Sequence, residues 1–203
     1  MSELGLLRIV ELKGRVRADD VATPLGVGAE EAGELLAGLL EHGLVAPAGA
    51  GYRLSEAGRS RLALLLAEDR APVDQVLLGL AYDEFCGFNG ELKAIITAWQ
   101  LKDASTPNDH TDAAYDAGVL ERLRALHAQV LPLVERLGMI APRLVGYAAR
   151  LQHACDQVAS GQTVWVARPI LDSYHTVWFE LHEDLIQLSG RTRLEEAVAG
   201  RAH

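Results

Sequence analysis

The sequence predicts a mainly α-helical protein in two parts, a small helical unit with one β-hairpin at about 1–68 and a helical bundle at 69–203. Three observations predict it. Apolar residues recur at helical spacing through most of the chain, as in Ala32, Leu35, Leu36, Leu39 and Leu40. One short stretch, Leu44 to Leu54, reads instead as two strands around a turn of small residues, Pro47 to Gly51. After Pro72 the apolar seams become much longer than those before it, the pattern of a bundle.

In the first part, Leu6, Ile9 and Val10 share one face of a short helix that Gly14 ends. Ala18 to Thr23 reads as a second short helix, limited by Pro24. Leu25 to Gly28 is a tight turn. The strongly amphipathic third helix follows, closed by Gly43. Leu44-Val45 and Tyr52-Arg53-Leu54 form the hairpin, and Ser55 caps a helix from Glu56 to about Asp69.

This order is that of a winged helix-turn-helix with a short two-stranded wing. The run "LGVGAEEAGELLAGLLEHGLV" followed by "YRLSEAGRSRL" resembles MarR-type transcription regulators. There, a recognition helix ends in Gly-Leu-Val, and a wing leads into an aromatic-x-Leu-Ser/Thr-x-x-Gly-Arg helix entry. The resemblance covers residues 4 to about 66. It implies a regulator that binds DNA as a homodimer, with the later helices as effector-binding or dimerisation domain.

The charges depart from that pattern. A helix that reads DNA offers donors to base edges and phosphates. Here the exposed face is Glu30, Glu31, Gly33, Glu34, Ala37, Gly38 and Glu41. The wing tip, Ala46 to Gly51, carries no charge. The candidate DNA-binding residues are therefore Lys13, Arg15, Arg17 and Arg53. The alternative is a non-DNA-binding accessory module whose acidic helix docks a basic protein surface.

The bundle begins after a junction at Glu68 to Pro72. Its first helix is expected from about Val73 to Leu101, bent near Gly87 or Gly90. The expected seam is Val73, Val76, Leu77, Leu80, Phe88, Leu92, Ile95, Ile96 and Trp99. Asp103 to Asp112 is a polar loop. A second helix spans about Ala113 to Leu137, with Pro132 expected to kink or split it. A third opens at Pro142 and ends near Ser160. The last runs from about Pro169 to Leu188, leaving Arg191 to His203 as a charged, frayed tail.

Polar residues on these seams are the other candidates. Glu84 and Glu91 lie in line with Leu80, Phe88 and Ile95, where burial is expected. His175 and His182 flank the last helix's stripe of Leu171, Tyr174, Trp178, Leu181 and Leu185. Two Glu–His layers could then face each other across the bundle. The simplest reading is structural, because buried charges must be paired. A second is a small-molecule effector site formed by Glu84, Glu91, Trp99, His175, Trp178 and His182. A third, weaker reading is a metal or enzyme site. Glu180-Leu181-His182 has the wrong spacing for a dimetal bundle motif, so no metal, cofactor or catalytic residue is assigned. His127 reads as a hydrogen-bonded interior histidine, and His110 and His153 as exposed.

Composition bounds the rest. Of 203 residues, 49% are hydrophobic and 23% charged, as in ordinary globular proteins. The net charge of −9 disfavours nucleic acid unless basic residues are concentrated on one face. No segment is apolar enough to span a membrane, and the start lacks a secretory pattern. Cys86 and Cys155 are expected to be buried free thiols in a reducing cytoplasm. The segments "YDEFCGFNGELKAIITAWQ" and "LDSYHTVWFELHEDLIQLSGR" resemble accessory regions of actinobacterial phosphoenolpyruvate/pyruvate-utilising proteins. That resemblance implies a free-standing accessory or sensory module rather than the catalyst.

Overall fold

The computed structural model describes residues 2–103, 105–169, 171–191 and 193–198. They form a mainly helical protein with one small two-stranded antiparallel sheet. The chain divides into two compact units, Met1–Val73 and Asp74–His203.

The first unit contains α1 (Glu3–Lys13), α2 (Ala18–Leu25), α3 (Ala29–Glu41), β1 (Val45–Ala48), β2 (Gly51–Leu54) and α4 (Glu56–Arg70). Ser2 caps α1 by accepting from the Gly5 N–H, and Ser55 caps α4 by accepting from the Gly58 N–H. α2 continues past Thr23 through Pro24 and closes at Gly26, which is left-handed at φ +67°. The buried faces of the helices meet the inner residues of the hairpin, joining Leu7, Val10, Val21, Leu36, Val45 and Leu62 in one core. β1 and β2 pair from Val45↔Leu54 to Ala48↔Gly51. Val16 adds an antiparallel bridge to Tyr52, exchanging both backbone hydrogen bonds at 2.9 and 2.8 Å. Two close backbone approaches require glycine. A Cβ on Gly51 would stand 2.4 Å from the Val16 carbonyl oxygen, and one on Gly58 only 1.9 Å from that of Leu44.

The second unit contains α5 (Gln75–Gln100), α6 (Ala113–Ile140), α7 (Gly146–Ala159), α8 (Tyr174–Leu188) and α9 (Arg193–Val198). Asp74 and Asp112 cap α5 and α6, each accepting two backbone N–H bonds. α5 and α6 form an antiparallel pair. At one end the Tyr115 hydroxyl contacts the carbonyls of Ala98 and Leu101, and at the other Arg136 pairs with Glu84. α8 is the interior helix, with ten of its fifteen residues buried.

Several expectations are corrected. On α5 the buried stripe is Leu78, Ala81, Tyr82, Phe85, Asn89 and Leu92, rotated from the expected seam, while Val76, Leu77 and Leu80 are exposed. Both stripes have helical spacing. The observed one buries two large rings, which remove more apolar area from water than the leucines. Both stripes share Leu92, Ile95, Ile96 and Trp99, so they merge toward the end of the helix. α6 is not split at Pro132, which lies on the exposed side and removes one backbone bond. Pro142 opens a 3-10 turn rather than α7. α8 starts at Ser173–Tyr174, later than expected, because the Ser173 hydroxyl takes the capping bond from Thr176 N–H. The tail is not simply frayed: α9 forms, and Glu196 within it is 1% exposed. Residues 192 and 199–203 of that tail lie outside the described residues. Neither cysteine is in a disulfide, as expected, but both are half-buried rather than buried.

Candidate functional site

In the first unit the residues singled out from the sequence lie on the surface in two groups of opposite charge. Glu30, Glu31, Glu34 and Glu41 are all exposed along α3. Successive turns of that helix are buried through Ala32, Leu36 and Leu39, and this fixes which face remains outside. His42 closes the helix, its Nδ1 2.7 Å from the Gly38 carbonyl. The cationic group surrounds the hairpin. Burial of Val16 against Tyr52 turns its neighbours Arg15 and Arg17 outward, and both are exposed. Arg15 reaches the hairpin turn: a Cβ on Gly49 would meet its Nη1 at 3.5 Å. Arg17 is held near Asp20, which accepts the Arg17 backbone N–H at 2.7 Å. Arg53 is exposed on β2, opposite Ala46. Lys13 ends α1 and is only half-exposed.

In the second unit the expected Glu–His layers do not form. Glu84 and Glu91 are exposed, because the rotated stripe of α5 places them outside. Glu84 pairs with Arg136 of α6 instead. His182 is buried, and its partner is Tyr82. The Tyr82 hydroxyl donates to Glu196 Oε2 at 2.8 Å, which leaves its oxygen to accept from His182 Nε2 at 3.2 Å. Arg191 Nη1 lies 3.2 Å from Glu196 Oε1. Burial, and then the bond to Glu196, push the Tyr82 phenol well above its usual pKa. Trp178 stacks on Phe85 with centroids 4.6 Å apart and donates its indole N–H to Asn89 Oδ1 at 3.0 Å. Trp99 packs instead against the His110 ring, 4.3 Å between centroids. His175 is exposed as a residue, although the protein around its ring desolvates it enough to lower its pKa. His127 is buried, with Tyr174 and Gln152 as hydrogen-bond partners at 3.3 and 3.0 Å.

The most concentrated buried charge was not foreseen. Arg150 of α7 donates through Nε and Nη2 to both oxygens of Asp172, each at 2.8 Å. Its Nη2 also reaches Glu180 Oε2 of α8 at 2.6 Å. Asp172 and Glu180 are buried. Burial opposes the guanidinium charge, but the bonds to Asp172 and the fields of Glu180 and Asp172 outweigh it and raise the Arg150 pKa. Beside this group, the Tyr147 hydroxyl donates to Asp184 Oδ2 at 2.7 Å, and Arg150 lies over the Tyr147 ring at 5.2 Å. Burial, then the nearby Asp184 charge, raise the Tyr147 pKa well above its usual value. Arg143 Nη2 stands 3.8 Å from Asp184 Oδ1. The sequence signal was Glu180 and Asp184, two carboxylates four residues apart and therefore on the same face as the apolar Val177, Leu181 and Leu188 of that helix.

This arrangement suits fixing α7, α8 and the segment before α8 in one register. Its carboxylates are engaged by guanidinium or phenol donors. Among the described residues, no group of three His, Cys, Asp or Glu side chains is placed to hold a metal ion. No described helix is long and apolar enough to cross a membrane. No protein-family model, curated protein or solved structure matches this chain.

Proposed function

We propose that the first unit is a winged-helix module of regulator type that docks a basic protein surface through α3, and that the bundle is its effector-sensing or dimerising partner domain. The observation that carries the reading is the exposure of all four α3 glutamates. A helix entering the major groove would bring these carboxylates against phosphates, without donors of its own to offset the repulsion. Toward lysine or arginine the same face is attractive, and at a rim it contributes mainly to encounter rate and specificity.

A Lys/Arg-rich peptide tests this by titration against the full chain. Wild type should bind at low salt, and the Glu30→Lys, Glu31→Lys, Glu34→Lys variant should not. Equal binding by both proteins would remove α3 from the interface.

A DNA-binding regulator is the second reading, favoured by the exposed Arg15, Arg17 and Arg53 around the hairpin. Such a patch grips phosphates rather than reading bases. Labelled duplex DNA at about 50 mM salt, where non-specific binding is strong, separates the two readings. Under the DNA reading the triple lysine variant binds duplex more tightly than wild type, and loss of Arg15 and Arg53 abolishes binding. Under the docking reading wild type shows no retention of duplex.

A further inference from the structure

The short helix α9 is held to the bundle by a carboxylate. Glu196 is 1% exposed, whereas Leu194 and Val198 of the same helix are 74% and 84% exposed. A docked helix ordinarily turns its apolar residues inward. Among the described side chains of α9, the one turned inward is charged. Six residues are also too few for a helix to stand alone in water, so α9 depends on that contact. The groups that receive the charge belong to the rest of the unit. Tyr82 of α5 donates to Glu196 Oε2 at 2.8 Å, and Arg191 Nη1 to Oε1 at 3.2 Å. His182 of α8 stands behind the phenol, its Nε2 3.2 Å from the Tyr82 hydroxyl, and the Cys86 thiol is a further hydrogen-bonding neighbour of that phenol. The Arg191 guanidinium lies over the Tyr82 ring at 5.3 Å. Gly190, at φ +67°, ends α8 and lets the Arg191 N–H bond back to the Ile186 carbonyl at 3.1 Å. The donors are therefore positioned by α5, α8 and the turn that closes α8, before α9 begins. Of the neighbouring carboxylates, Asp83 and Glu195 are exposed and Glu183 is half-buried.

We infer that Tyr82, His182 and Arg191 form a carboxylate-binding pocket, that Glu196 is its built-in occupant, and that a free carboxylate taking its place releases α9. One donor meets each carboxylate oxygen, and one of the two is cationic, which matches a planar group of single negative charge. A buried ion pair contributes little net stability against its desolvation, so exchanging one carboxylate for another in the same pocket is nearly balanced. What favours Glu196 is its tether. A side chain joined by a short segment acts at an effective concentration of about millimolar, which a free acid can exceed. The inference names an effector class for the bundle and in that respect rests on the reading of the bundle as an effector-sensing domain. The pocket itself does not depend on what α3 docks.

Hydrogen exchange of α9 and thermal melting of the full chain, with sodium acetate as the probe, test it. In wild type, acetate at about 100 mM should speed amide exchange in α9 about tenfold, and equal chloride should not. Glu196→Gln keeps an acceptor for Tyr82 and loses the charge opposite Arg191, so it should speed that exchange about tenfold without acetate. Glu196→Ala empties the pocket. Acetate, but neither chloride nor acetamide, should then raise the melting temperature saturably by about 3 °C or more. Adding Tyr82→Phe should remove that rise. If Glu196→Ala does not fold, the wild-type exchange decides alone. Acetate that leaves α9 exchange in wild type unchanged overturns the proposal. A rise in melting temperature that survives Tyr82→Phe overturns it as well, placing acetate elsewhere. Repeating the basic-peptide titration of α3 in acetate and in equal chloride reads the sensing separately. A pocket that fills without altering that titration stands as a carboxylate site and removes the sensing role from the bundle's reading.

Discussion

The helices α3 and α8 both carry carboxylates among leucines, and the protein uses them in opposite ways. α3 turns Glu30, Glu31, Glu34 and Glu41 to solvent and buries Ala32, Leu36 and Leu39. α8 is covered on most of its circumference, so Glu180 and Asp184 have no solvent side to occupy. Arg150 and Tyr147 meet them inside. The difference lies less in the acidic residues than in what the fold places beside them. A carboxylate on a half-covered helix keeps its water, whereas one on a covered helix needs a donor from a neighbour.

The sharpest way to break this comparison is Arg150→Met. It strands Asp172 and Glu180 inside the second unit and should cost about 3–5 kcal/mol, the usual penalty for removing one partner of a buried pair. Denaturant unfolding would read it. Adding Asp172→Leu and Glu180→Met should recover much of the loss; if Arg150→Met alone changes stability by less than about 1 kcal/mol, the network is not buried as described. Gly58→Ala gives a control of similar severity in the first unit. Its new Cβ meets the Leu44 carbonyl, and overpacking of this kind costs about 1–3 kcal/mol. Calorimetry should then show the first unit melting earlier with the second unmoved. A shift in neither transition would contradict the close backbone approach.

Tyr147→Phe is milder. It removes one hydrogen-bond donor from the buried Asp184 and should cost about 1–3 kcal/mol by chemical denaturation. The Glu30→Lys, Glu31→Lys, Glu34→Lys variant sharpens the other side. Each exposed change should alter stability by no more than about 0.5 kcal/mol while reversing the sign of the face. A large loss of stability there would mean that the α3 carboxylates are structural after all.

The smallest effect concerns pH. His175 has a folded-state pKa below that of the unfolded chain, so the unfolded state binds the proton more readily. Stability therefore rises with pH between the lowered folded value and about 6.5, and falls as pH drops through that window. His175→Gln should flatten the melting temperature across this window only. An unchanged slope would assign the pH dependence to other groups.

How much of this was legible in the sequence differs between the same two helices. For α3 the leucine spacing, the glycine at its end and the hairpin after it fixed both the element and the exposed carboxylates. The reason is local: one face is apolar, the other is not, and no second stripe competes. α5 offered two stripes of helical spacing, and the choice between them depended on which faced α6 and α8, information that no local pattern carries. Glu84 and Glu91 were expected inside for that reason, while Tyr82 and Phe85 took the place. For α8, the apolar stripe containing Trp178 and His182 was visible. The partners of Glu180 and Asp184 come from α7, well away in sequence, so the network that holds them was not.

The reach of a single guanidinium across Asp172 and Glu180 has a consequence for how this chain can vary. Each of the three residues is tolerable only while the others are present, so a change at any one of them leaves an intermediate worse than either endpoint. Descendants of this sequence should keep the trio intact or lose it whole, in favour of apolar side chains of similar volume. The covered helix is thus tied to its neighbours by history as well as by contact.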